Sequence, residues 1–400
     1  MKDQEIIQKD DKEIKKKKMI RIIILISSIV VIAVVITVAV VFTRQKDEDG
    51  KSKENNEENI SDTIINSNTD EQISEYDQTC LFLQLMNFGG KEANSFSPRA
   101  EPKSELRSDG VYYRTEINFG TKYPNSYLDI YYPGDVKEDR PTYIYWHGGG
   151  HIFGDKNLGD PLSPNSDTSM HMFDYICKQG FNFISVNYCF APAYRYPAQI
   201  LQYDQVLDYL NKHSAELNLN MNKVILAGSS GGAIYTTQWT MLLTSDVYLQ
   251  DFNKVLEEKG LEKISKVSLN RNQVKALVLE GTPMIINGMN EGTQVLFRCW
   301  YGEGDIINLW YSKLTHIVEY VNSNFIPSFI TAGNIDCFPE DALELKNKLE
   351  ELGVNYSYCY WDEDVEILNH GYMSSFETSV HAKMALDQSL EFVKSKVFNI

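Results

Sequence analysis

The pentapeptide Gly228-Ser229-Ser230-Gly231-Gly232 centres a serine hydroxyl in a G-x-S-x-G pattern. An apolar run at 223–227 that reads as a strand precedes it, and an apolar helical stretch follows from Ala233. In that strand–turn–helix setting the pattern is a nucleophile elbow. Small residues matter there: the turn forces the serine into strained backbone geometry, and the flanking glycines let strand and helix approach closely. The hydroxyl is left at the positive end of a helix, where a developing anion is favoured. The chemistry this permits is attack by Ser230 on an acyl carbonyl. Ser229 is the weaker candidate because it is not centred between Gly228 and Gly232.

A second cluster, His147-Gly148-Gly149-Gly150, follows the short apolar run at 142–146. Three glycines leave backbone N–H groups bare, as fixed donors to a tetrahedral oxyanion must be. Gly148 and Gly149 are the expected donors here, and Gly231, the residue after the nucleophile, supplies another. His147 itself reads as a structural hydrogen-bonding residue.

A serine hydroxyl needs a base, and the base needs an acid to hold it in one tautomer. In a strand–helix alternation with an elbow the chain order is serine, acid, histidine. Asp336, in Gly333-Asn334-Ile335-Asp336, and His370, in Asn369-His370-Gly371-Tyr372, both fall in loops after predicted strands. Such loops are where open α/β sheets bind ligands. Glu280 and Asp305 are rivals for the acid. His171, His213, His316 and His381 fall within helical patterns and compete less well as the base.

The elements that must position these groups alternate along the chain. Strands are predicted at 111–119, 126–132, 142–146, 182–188, 223–227, 274–280, 327–331 and 355–361. Helices are predicted at 199–217, from Pro339 to Leu352, and at 376–396. This predicts an α/β fold with a mostly parallel central sheet of about eight strands and helices on both faces. A charged insertion spans 244–273. Residues 285–325 hold Phe297, Trp300, Tyr301, Trp310 and Tyr311, either as a cap over the site or as plain aromatic core.

The N-terminal part is different. Residues 22–42 carry no charge, and as a helix would run about 31 Å, the thickness of a bilayer core. The run is too long for the apolar core of a signal peptide, and Val38-Ala39-Val40 is a poor cleavage site. Lys15, Lys16, Lys17, Lys18 and Arg21 precede it, and Asp47, Glu48 and Asp49 follow Arg44 and Lys46. The positive-inside rule then predicts a single-pass signal-anchor at 19–42, a cytoplasmic tail at 1–18 and an extracytoplasmic remainder. Residues 43–75, rich in Lys, Glu, Asp, Asn and Ser, read as a flexible linker. The catalytic domain is expected over 76–400, with its core at 111–400 and candidate cap elements at 76–110 and 285–325. Sequons at Asn59 and Asn355 agree with that placement.

Composition bounds the rest. Of the 400 residues 43% are hydrophobic, an ordinary globular share, and the formal net charge of −17 argues against nucleic acid as a partner. Six cysteines without a C-x-x-C pair make a zinc site improbable and leave disulfides and packed thiols equally open.

Together these motifs resemble the α/β-hydrolase fold, and more narrowly its hormone-sensitive-lipase-like and acetyl-esterase-like branch. "WHGGGHIFGDK" from Trp146 is similar to that branch's oxyanion motif with its trailing Gly-Asp-Lys, and "VNYCFAPAYRYPAQ" from Val186 to its strand–Tyr–Pro–Pro element. The likeness covers about 111–400. Two residues depart from the branch: Ser229 stands where an acidic residue is usual, and Gly231 where alanine is usual. The resemblance implies a serine carboxylesterase that cleaves short acyl esters of small molecules without a metal or organic cofactor. Amide or formamide hydrolysis would use the same groups, and a non-catalytic binding module would use the same fold.

Overall fold

The computed structural model describes residues 73–398 other than 135, 138, 158–161 and 163–168. Its centre is one sheet made of β1 (Ser104–Leu106), β2 (Tyr112–Asn118), β3 (Tyr127–Tyr132), β4 (Pro141–Trp146), β5 (Asn182–Val186), β6 (Asn220–Ser229), β7 (Val274–Glu280), β8 (Ser328–Thr331) and β9 (Tyr356–Cys359). The spatial order is β1-β2-β3-β5-β4-β6-β7-β8-β9. β1, β2, β3 and β5 pair antiparallel in succession, and every pairing from β5–β4 onward is parallel.

The sheet has nine strands, one more than the expected eight. The additional strand, β1, is exposed at all three positions. It therefore has no buried face to write an alternation into the sequence, and only its backbone pairing with β2 defines it.

Helices cover both faces: α1 (Glu75–Asn87), α2 (Ser169–Lys178), α3 (Ala198–Lys212), α4 (Gly231–Thr244), α5 (Asp246–Glu258), α6 (Glu291–Tyr301), α7 (Pro339–Glu351) and α8 (Val380–Val397). The period-2 alternation of the strands sorts their side chains between two cores. Leu226 and Leu277 face the side holding Tyr203, Trp239, Phe252 and Leu345, from α3, α4, α5 and α7. Ile225 and Val278 face the side holding Phe173 of α2 and Leu386 and Val393 of α8.

The charged insertion at 244–273 contains α5, which buries Tyr248, Phe252, Val255 and Leu256 along one face. Those positions recur at helical spacing, but the charges between them mask the stripe. The 285–325 segment is α6 flanked by short 3-10 turns, and His316 stands between the two that follow it rather than inside a helix. His213 caps the end of α3. The last helix begins at Val380, later than expected, because a separate 3-10 turn, Tyr372–Ser375, intervenes.

Among the described residues no helix is long and apolar enough to cross a membrane. The expected span at 19–42, the tail before it, Asn59 and nearly all of the linker lie outside the described residues. All six cysteines are thiols; Cys337 is exposed and the other five are buried. Asn355 of the second sequon is exposed just before β9.

Candidate active site

β6 ends at Ser229 and α4 begins at Gly231, so Ser230 is the whole of the turn between them. Its backbone sits at φ 52°, ψ −121°. A positive φ in a residue with a side chain costs of the order of 1–3 kcal/mol and persists only where surrounding contacts enforce it. Those contacts are visible. Gly232 lies so close to β4 that a methyl group there would overlap the carbonyl oxygen of Trp146. The Ser230 N–H donates to the Glu280 carbonyl at 2.9 Å, tying the turn to the end of β7. The Ser230 side chain does not cap α4, and the residue is 4% exposed.

The glycine run follows β4 and turns back beneath Tyr188, whose hydroxyl donates to the carbonyls of His147 and Gly148 at 2.8 and 2.9 Å. His147 is fully buried, stacks on the Tyr188 ring at 4.4 Å, and has Nδ1 2.7 Å from the Gly148 carbonyl. Gly149 has φ +113°, and a Cβ there would overlap the carbonyl oxygen of Phe153. Ile152 and Phe153 both donate their N–H to the Gly149 carbonyl. The loop is thus pinned through its carbonyls.

Further along, Lys156 is wholly buried, 2.5 Å from Glu116 and 3.6 Å from Asp129. Burial alone would lower its pKa, but Asp129, Asp155 and Glu116 outweigh burial and raise it. The ammonium therefore stays charged and moors the loop to β2 and β3.

Asp336 lies between β8 and α7, and His370 between β9 and the 372–375 turn. His370 Nδ1 is 2.8 Å from Asp336 Oδ2, with the carboxylate side chain 1% exposed. Asn334 holds the two loops in register. Its Nδ2 donates to the carbonyls of Trp361 (3.0 Å) and Glu366 (2.6 Å), and its Oδ1 accepts the Leu368 N–H at 2.9 Å. Gly281, the residue after Glu280, abuts the pair: a Cβ on it would stand 2.9 Å from Asp336 Oδ2 and 3.1 Å from His370 Nδ1. The strand end that fixes Ser230 is therefore the surface on which the imidazole and carboxylate rest. Asp305 is exposed and occupied with Asn308, well suited to a surface turn.

Sequence reasoning missed His151, one residue past the glycine run. Its ring is parallel to Trp300 of α6 at 3.9 Å, and Nδ1 is 2.7 Å from the Tyr235 hydroxyl of α4. Complete burial pushes its pKa down to about 3, so it is neutral. The signal was the doubled histidine of His-Gly-Gly-Gly-His, but only packing shows which partners it meets. Leu296 of α6 covers Gly150, and α1 reaches the same loop through Gln84, whose Nε2 donates to the Ile152 and Ala191 carbonyls at 2.6 and 2.7 Å. A groove of about 460 Å³, lined in part by Met284, Trp310, Lys313 and His316, opens beside the segment that follows Gly281. Among the described residues no cluster of three His, Cys, Asp or Glu side chains could hold a metal ion.

Comparison with known proteins agrees with this architecture. Acetyl esterase of Salmonella paratyphi B is 30% identical over 132 residues, 33% of this chain and 35% of its own length. Carboxylesterase NlhH of Mycobacterium tuberculosis is 28% identical over 103 residues, 26% of this chain and 30% of its own. The chain spans about a third of the length of the curated relatives it matches. Esterase B from Lactobacillus rhamnosis superposes with a TM-score of 0.58 at 18% identity, covering 74% of this chain and 88% of that one. An esterase of the bacterial hormone-sensitive lipase family gives 0.53 at 15%, covering 82% and 93%. At such identities these structures establish the fold. The BD-FAE family model matches residues 128–349, more than half of the chain. The chain belongs to the BD-FAE family and has the α/β-hydrolase fold.

Proposed function

We propose that the chain is a membrane-anchored serine carboxylesterase acting on short-chain acyl esters. The observation that carries this is the meeting at Glu280–Gly281 of the strained Ser230 turn and the hydrogen-bonded Asp336–His370 pair. Ser230 Oγ attacks the ester carbonyl as His370 Nε2 takes its proton. Asp336 holds Nδ1 protonated and stabilises the imidazolium that forms. The N–H groups of Gly148, Gly149 and Gly231 receive the oxyanion, and the N-terminus of α4 adds its positive field. His370 then protonates the departing alcohol, and water, activated by the same imidazole, releases the acyl group.

The names of the relatives, acetyl esterase and carboxylesterase, support ester over amide substrates. Leu296 lies against Gly150 and Trp300 stacks on the adjacent His151, bulk beside the glycine loop that favours short acyl groups. Residues 76–110 and 285–325 act as cap elements, since α1 and α6 both touch that loop. The signal-anchor at 19–42 and the linker at 43–75 place the domain outside the cytoplasm.

The test uses the purified full-length chain in detergent. A fluorophosphonate probe labels it, and Ser230→Ala abolishes both labelling and turnover. On p-nitrophenyl esters of rising acyl length, turnover is highest with the shortest. Folded protein that neither labels nor turns over any ester would reject the enzyme in favour of a binding module. Amide turnover with inert esters would reject the carboxylesterase. Protease protection of the domain in sealed vesicles tests orientation.

A further inference from the structure

One buried carboxylate of the site takes no part in the chemistry above. Glu280 ends β7, is 3% exposed, and stands level with Ser229 on β6 and Thr331 on β8. A carboxylate withdrawn from water is unfavourable unless hydrogen bonds compensate it, and packing alone would be met here by an apolar side chain. Glu280 Oε1 accepts the N–H of Met373 at 2.8 Å. Met373 lies three residues after His370, in the Tyr372–Ser375 turn that closes the histidine loop. Thr331, Glu280's neighbour in the sheet, grips the same turn, with its hydroxyl 2.5 Å from that of Tyr372. The main chain of Glu280 serves the other partner, since its carbonyl accepts the Ser230 N–H at 2.9 Å.

We propose that Glu280 is a positioning residue for the reaction: through its carbonyl it holds the nucleophile, and through its carboxylate it holds the loop bearing His370, so one residue sets the separation of hydroxyl and imidazole. This rests on the assignment of Ser230 and His370 as nucleophile and base. The carbonyl bond belongs to any residue at this position. The carboxylate bond does not, and it is what substitution can remove.

Two variants, one isosteric and one shorter, separate the bond from the charge. Glu280→Gln keeps an acceptor at the same reach without the charge, whereas Glu280→Asp keeps the charge but withdraws it by one methylene. Both are made in the full-length chain and compared with the parent and Ser230→Ala, on p-nitrophenyl acetate and in the rate of fluorophosphonate labelling. A displacement of about 1 Å at a reacting group costs of the order of 100-fold in rate. Glu280→Asp is therefore expected to lose about 100-fold in kcat and in labelling rate, with KM within about twofold of the parent. Glu280→Gln is expected to restore the rate to within about tenfold of the parent. Thermal unfolding checks that both variants are folded.

Equal kcat in Glu280→Asp and the parent would overturn the inference, as would a Gln variant no better than the Asp variant, or an effect confined to KM. Turnover surviving in Ser230→Ala would instead overturn the assignment on which it rests. A defect in the Asp variant against an inert Ser230→Ala control supports both.

Discussion

Asp336 Oδ2 lies 2.8 Å from His370 Nδ1 although the two residues are 34 positions apart and sit on different loops. On the proposed mechanism this bond orients the imidazole so that its other nitrogen serves as base. Asp336→Asn is expected to lower kcat by about 10⁴-fold while KM changes little, because an amide at this position favours the wrong tautomer. Steady-state kinetics on p-nitrophenyl acetate check this, and a loss below tenfold would count against Asp336 as the acid.

Asn334 braces the two loops that carry this pair, tying three backbone groups of the histidine loop to the acid loop. Asn334→Ala would leave those groups without this partner, at a cost of about 2–4 kcal/mol in stability. Urea unfolding of the two proteins measures it. Activity should fall more steeply than stability at temperatures where both proteins remain folded.

The glycine loop tolerates no side chain at its centre. In Gly149→Ala the new methyl meets the Phe153 carbonyl, in a backbone conformation with φ +113° that alanine rarely adopts. The loop must shift, so on the proposed oxyanion role of its amides kcat should drop by about 100-fold or more. Gly260, by contrast, has open space around its Cβ position although its φ is +66°. Gly260→Asn, with a residue type that accepts that conformation, should leave activity unchanged.

His151 gives the protein an acid-sensitive element. Its folded pKa, pushed by burial to about 3, lies below the value near 6.5 expected of an unfolded chain. Between those values the unfolded chain binds a proton that the folded protein refuses, so stability falls as pH drops below about 6.5. The contribution lost between pH 7 and pH 4.5 is about 3 kcal/mol. Burial raises Asp129 and Asp341 to about 6, and their linkage runs the other way. The quantity to measure is therefore the difference between the parent and His151→Phe, whose ring suits the box of Trp300, Phe297 and Tyr235. That difference should shift in favour of the variant as the solution is acidified.

Thiol accessibility tests the packing of α1 against α6. Cys80 of α1 and Cys299 of α6 are both fully buried and neighbour each other. An aromatic disulfide reagent should react with one thiol of the native protein, Cys337, and with six after denaturation. Four reactive thiols after denaturation would mean that one pair had been oxidised to a disulfide, and peptide mapping would show whether it is Cys80–Cys299.

The alternation of apolar strands and amphipathic helices, the elbow at Ser230, the glycine run from Gly148 and the loops bearing Asp336 and His370 were all legible in the chain. Each is a local pattern: turn chemistry, side-chain periodicity and motif order are properties of neighbours in sequence. β1 left no such mark, because an exposed three-residue edge strand buries nothing. The stripe of α5 was hidden for a different reason, being interleaved with charge. The contacts of His151, Asn334 and Glu280 were beyond reach in another way, although Glu280 stood out as a rival acid. Their partners are Trp300 and Tyr235, Leu368 and Glu366, and Met373, all distant in sequence. The amino-acid order determined which reactive groups exist and on which elements they ride. Folding alone decided which buried polar atoms meet, because that depends on strand order and register across the sheet, and those follow from packing the whole core at once.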